Sequence, residues 1–117
     1  MRVFEFLRRL RLFERQNLTF VETLEDIDIL HVVGEHQVRG VPLTLKQMRA
    51  FDIGASATVE RRLARLKELG VIVQAQSKLD KRNHELKLSS RTLRIFQRYA
   101  DTIPSFEHTS PLDQRPE

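Results

Sequence analysis

The chain has 117 residues, 40% apolar and 31% charged, with four glycines, four prolines and no cysteine. This is enough for one domain with a modest core and argues against disorder over most of its length. It excludes disulfides, thiolate metal sites and a catalytic cysteine.

No apolar run approaches the ~18 residues that span a membrane, and the arginine-rich start MRVFEFLRRLRLFERQ lacks the uncharged centre of a signal peptide. The expectation is a cytoplasmic protein with no membrane partner. The net charge of +4 conceals an uneven distribution. Residues 39–98 hold 14 Lys/Arg against 5 Asp/Glu, whereas residues 1–38 hold 5 against 7 and residues 99–117 hold 1 against 4. Positive charge concentrated in the middle of a chain suits a polyanionic partner there.

In chain order, Val3, Phe6, Leu7, Leu10 and Phe13 recur at helical spacing and predict an amphipathic helix ending near Arg15. Phe4 and Leu12 lie off that stripe, as expected of a helix that also packs against a second subunit. A second helix follows Gln16-Asn17. Thr19 and Thr23 are both candidate N-caps, and TFVE (19–22) has capping-box spacing. Glu22, Glu25, Asp26 and Asp28 read as acid near the positive end of the helix dipole. Leu24, Ile27, Leu30, His31 and Val33 or Gly34 mark its inner face.

Pro42 restricts Val41 to extended geometry, so residues 41–43 predict a short strand or turn. Thr44 opens a third helix with capping-box spacing to Gln47, pointing Leu45 and Met48 inward and closing at Ile53-Gly54. Ser56 is the expected N-cap of a fourth helix over residues 57–69, and Gly70 occupies its C′ position. Residues 71–76 and 84–88 alternate as antiparallel strands do, around the charged loop SKLDKRN. Ser89 or Ser90 caps a last helix with Leu93, Phe96, Ala100 and Ile103 on one face. Pro104 ends it, and PSFEHTSPLDQRPE predicts a mobile tail.

Helix, turn, basic helix, strand, charged loop and strand make an α+β winged helix-turn-helix with flanking N- and C-terminal helices. One domain is expected over residues 1–103. It comprises N-terminal helices (1–38), helix-turn-helix (43–69), wing hairpin (71–88) and C-terminal helix (90–103), with the tail at 104–117. On the fourth helix, Val59, Leu63 and Leu66 fall within about 60° of one another at 100° per residue and set the core side. Ala57, Arg61, Ala64, Arg65 and Glu68 then face outward, flanked by Thr58, Glu60 and Arg62.

That outer face suits a DNA major groove. Alanines keep it slim, Arg61 offers a fork to guanine O6 and N7, and Arg65 reaches a base or a phosphate. Ser56 and Thr58 bring hydroxyls to the helix N-terminus, where amides favour phosphate, and Arg62 lies near phosphate. Lys78, Lys81 and Arg82 at the wing tip reach phosphates or the minor groove, with Asp80 holding Arg82 in orientation. No Gly-rich phosphate loop, metal-ligand cluster or serine elbow occurs. No catalytic residue, cofactor or metal is therefore expected.

Residues 43–89 resemble the core of MarR-type winged-helix transcription regulators. The resemblance rests on SATVERRLARLKELGVI, on the wing pair Asp80 and Arg82, on the helix exit Leu66, Leu69 and Gly70, and on Leu88-Ser89 at the strand end. It implies sequence-specific binding of duplex DNA and transcriptional regulation by a homodimer joined through N- and C-terminal helices. In many members a small-molecule effector alters DNA affinity. Two alternatives accompany this reading: a winged-helix module that binds protein, and a plasmid or phage replication or partition protein.

Overall fold

The computed structural model describes residues 2–101, in eight elements. Helix α1 spans Val3–Asn17 and α2 spans Leu24–Val38. Strand β1 (Leu43–Thr44) leads directly into α3 (Leu45–Ala50), followed by α4 (Ser56–Glu68). Strands β2 (Ile72–Gln76) and β3 (His84–Leu88) form the wing, and α5 covers Ser90–Asp101. The expected winged helix-turn-helix is thus the fold found. Ile103 and the expected tail from Pro104 onward lie outside the described residues.

Local chemistry sets most of these limits. Thr44 caps α3 as expected: its hydroxyl accepts from Gln47 N (3.1 Å) while the Gln47 amide oxygen accepts from Thr44 N (3.0 Å). At α2 the cap is Thr23, whose reciprocal partner is Asp26, and the TFVE alternative is not the one used. Helix α4 begins one residue early. Ala55 occupies the N-cap position and no side chain closes the helix start, so Ser56 lies inside the helix. Gly70 follows the C-cap with φ +75°, a left-handed conformation that glycine adopts without a Cβ penalty. Ser89 caps α5 by accepting from Thr92 N (3.2 Å).

The sheet runs β1-β3-β2, antiparallel throughout, with Leu43 opposite Leu86 and Ile72 opposite Leu88. Beyond the reach of two-residue β1, Gln37 of α2 takes over pairing with β3. Its amide oxygen accepts from Leu88 N (2.8 Å) and its nitrogen donates to Leu88 O (3.4 Å). The core gathers Ile29, Leu30 and Val33 of α2 with Leu43, Met48, Val59, Leu63, Leu66, Val71, Ile72, Leu86 and Leu88. The α4 residues expected to face inward therefore do so. After Ile72 every residue of β2 is exposed, so the expected in-out alternation stops there. The hairpin projects past the core.

Helix α2 buries Ile27, Leu30 and Val33 as expected but departs from its expected face at four positions. Leu24 and His31 are exposed, whereas Ile29 and Asp26 are fully buried. Helix α1 packs on α5 near its C-terminal end, where Phe13 stacks on Tyr99 with ring centroids 4.0 Å apart and tilts against Phe96 at 6.0 Å. Val3, Phe4, Leu7 and Leu12 are exposed along the rest of it.

Candidate nucleic-acid interface

Helix α4 hides Val59, Leu63 and Leu66 and turns Ala57, Arg61, Ala64 and Glu68 to solvent. Arg61 is exposed, and among the described residues no carboxylate pairs with it. Ser56 is exposed and Thr58 half-buried at the uncapped start of the helix, where backbone N–H groups carry partial positive charge. Glu60 is drawn aside to Arg49 of α3 (3.0 Å), which leaves the Arg61 side of the helix without a competing carboxylate from Glu60.

Arg62 and Arg65 are placed otherwise than expected. Both reach across to the start of α2. Arg62 Nε donates to Asp26 Oδ1 (2.8 Å), and Nη2 donates to Asp26 Oδ2 (2.7 Å) and Glu22 Oε1 (2.9 Å). The Asp26 side chain is 0% exposed and that of Arg62 14%. The same Asp26 Oδ2 accepts from the backbone of Glu22 (2.9 Å) and Thr23 (3.1 Å). Arg65 Nη1 donates to Phe20 O (2.7 Å) and its Nε lies 3.2 Å from Glu22 Oε1.

Arg62, expected near phosphate, has its guanidinium held against α2 by a bidentate pair with a buried carboxylate. Arg65, expected to point outward, likewise has its guanidinium half-buried and bound to the loop before α2. Burial pushes the Asp26 carboxyl up. The Arg62 hydrogen bonds, the two backbone donors and the Arg62 charge outweigh this and leave it below its usual value. The hydrogen bonds to Asp26 and Glu22 raise the Arg62 guanidinium in turn.

The wing tip carries Lys78, Lys81 and Arg82, all exposed. As expected, Asp80 orients Arg82: Oδ1 accepts from Arg82 N (3.0 Å) and Nε (3.2 Å), and Oδ2 from Nη2 (3.4 Å). The Arg82 hydrogen bonds lower the Asp80 carboxyl below its usual value. The loop itself is braced by Ser77, whose Oγ accepts from the backbone of Leu79 and Asp80. Sequence periodicity missed Asp26 as the hub of the Arg62 network. Its signal was present, since Asp26 stands three residues after Thr23, the capping-box distance. Among the described residues no cluster of His, Asp or Glu could hold a metal ion, and no helix is long and apolar enough to cross a membrane.

No family model and no curated protein matches this chain by sequence. Solved structures match it across most of its length. It is similar to MarR at 22% identity, covering 92% of this chain and 80% of that one with a TM-score of 0.51. It is similar to the Staphylococcus aureus MepR–DNA complex at 18% identity, covering 91% and 78%, TM-score 0.64. A mutant of Lactococcus lactis ZitR aligns at 15% identity over 97% of this chain and 86% of that one, TM-score 0.57. Helix order, wing and strand pairing agree with the resemblance carried by residues 43–89, and the chain has the winged helix-turn-helix fold of the MarR-type regulators.

Proposed function

We propose that the chain binds duplex DNA sequence-specifically and regulates transcription as a homodimer, with α4 in the major groove and the wing against the adjacent backbone. The observation that carries this is the outer face of α4. It presents an exposed Arg61, unpaired among the described residues, between two alanines, next to an uncapped helix start, on the same domain as three exposed wing cations. A guanidinium without an intramolecular partner is free to fork onto guanine. The MepR structure bound to DNA supports the reading by likeness of fold.

The roles divide accordingly. Arg61 reads bases, and Ser56 and Thr58 meet phosphate at the helix start. Lys78, Lys81 and Arg82 neutralise phosphates from the wing. Arg62 and Arg65 position the helix from behind without touching DNA. The exposed Val3, Phe4, Leu7 and Leu12 of α1 supply the dimer contact. The rival reading, a protein-binding winged helix, calls for apolar residues on the outer face of α4, and none larger than alanine stands there.

The test is binding to random-sequence duplex across a salt series. Log affinity is expected to fall linearly with log salt, by roughly 0.9 per phosphate neutralised. Absence of binding at low salt refutes the proposal. Selection of bound sites from a random pool then tests specificity, with a pseudo-palindromic consensus expected of a dimer.

A further inference from the structure

Leu79, at the apex of the wing, is 99% exposed. A solitary surface leucine means little in general. This one is distinguished by its mounting. Ser77, itself buried, donates its N–H to Asn83 O (2.9 Å) and receives the N–H groups of Leu79 (3.2 Å) and Asp80 (3.3 Å) on its hydroxyl. Asn83 N donates to Asp80 O (3.0 Å), and the Gln76 side chain donates to Lys81 O (3.0 Å). The tip is thus tied by its own hydrogen bonds, and the leucine side chain takes no part in tying it.

Three cations surround this leucine, Lys78 before it and Lys81 and Arg82 after it, while the one acid of the tip, Asp80, is occupied by Arg82. A charged ring with an apolar centre is complementary to a surface having the reverse pattern. The duplex minor groove has that pattern: phosphates line both rims of a cleft about 6 Å wide, and its walls are sugar carbons. Apolar side chains placed there meet sugars and base edges and favour sequences whose groove opens or kinks easily.

We propose that Leu79 is an apolar contact of the wing with the DNA minor groove, adding a salt-independent, shape-sensitive component to binding. This rests on the DNA-binding reading above. The wing then does two separable things: its cations draw the phosphates, and its leucine discriminates between grooves of different width and flexibility.

The experiment compares the full chain with Leu79→Ser and Lys78→Ala, on a duplex obtained by selection from a random pool, over a salt series. Leu79→Ser is expected to weaken binding by about tenfold, the scale of partly burying one leucine side chain, with the salt slope and thermal midpoint unchanged. Lys78→Ala is expected to reduce the slope by about 0.9. Selection repeated with Leu79→Ser is expected to lose preference in the segments flanking the α4 half-sites while keeping the half-sites themselves.

If Leu79→Ser binds as tightly as the unaltered protein, the leucine makes no contact and the inference fails, though DNA binding by the protein stands. A changed salt slope in Leu79→Ser likewise overturns it, because the contribution is then not apolar. If the unaltered protein shows no salt-dependent duplex binding, both the inference and the reading beneath it fall.

Discussion

Replacing Asp26 by alanine tests whether α4 is held from behind by one buried carboxylate. The change removes the acceptor of two Arg62 hydrogen bonds at 2.8 and 2.7 Å and of two backbone N–H groups at the start of α2. Breaking a buried ion pair by deleting one partner costs about 3–5 kcal/mol when the other charge is left without compensation. Here Arg62 retains Glu22 at 2.9 Å, and Glu22 is more than half exposed, so its compensation is partial and screened. The expected loss of stability is about 2–4 kcal/mol, including the lost capping interaction. At roughly 4 °C per kcal/mol for a domain of this size, the thermal midpoint drops by about 8–16 °C.

Urea unfolding followed by far-ultraviolet circular dichroism measures the loss. Arg62→Met and the double variant complete a thermodynamic cycle in which at least about 1 kcal/mol of coupling is expected. A loss below about 1 kcal/mol for Asp26→Ala, or strict additivity in the cycle, refutes the reasoning. The pH dependence supplies an independent check. The folded carboxyl sits below its ordinary value of 3.8, so the folded state binds this proton less readily than the unfolded chain. The stability it contributes is fully present above the unfolded value and is lost as pH falls through the folded one. The advantage of the unaltered protein over Asp26→Asn should therefore hold through neutral pH and shrink below about pH 4. An advantage that grows with acid contradicts the assignment.

Arg61→Ala should leave the urea midpoint unchanged and relax base preference at one position of the selected site, whereas Lys81→Ala should weaken all sequences about equally and lower the salt slope by about 0.9; equal effects of the two changes refute the division of roles. Gly70→Ala should destabilise by about 1 kcal/mol, since its φ of +75° disfavours any Cβ although nothing within 4 Å would meet one. A stabilising outcome in urea unfolding contradicts that backbone assignment. If the proposed dimer forms through α1, Phe4→Ser combined with Leu12→Ser should shift the protein toward monomer in sedimentation or light scattering, because both side chains are exposed there; an unchanged mass refutes the α1 contact.

How far the sequence discloses this molecule depends on whether the determining interaction is local. The α3 cap, Gly70 and the Asp80–Arg82 pair each lie within two or three residues of their partners, or depend on a single φ, and all were legible. Strand β3 and the core side of α4 were legible from period alone, because burial of one face is what produces the period. The end of the alternation in β2 was not legible. The residues alternate in type, but the hairpin outruns the core, and tertiary extent is not written in a five-residue pattern. Leu24 and His31 failed for a related reason: a helical face is read as an average, and Leu24 stands at the first residue of α2 while His31 lies at the edge of the buried stripe, exposed yet edge-on to Phe96 at 6.4 Å.

The arginines of α4 show the limit most clearly. On a wheel of 100° per residue, Arg62 lies about 60° from Val59 and Arg65 about 120°, while Arg61 lies about 160° away. Only Arg61 is unambiguously outward. The other two stand at the boundary, where a long side chain can turn either to solvent or to a neighbouring element. What decides between these is, for Arg62, the Asp26 carboxylate 36 residues earlier and, for Arg65, the Phe20 carbonyl and Glu22, and nothing in the periodicity of α4 encodes them. The division has a physical logic. A helix that enters a groove under the pull of phosphates needs its own orientation fixed by contacts that salt does not readily screen, and a buried bidentate pair meets that need better than an exposed one. A row of arginines on one short helix therefore divides by depth. Those nearest the core anchor the helix to α2, and the one farthest from it stands exposed to solvent.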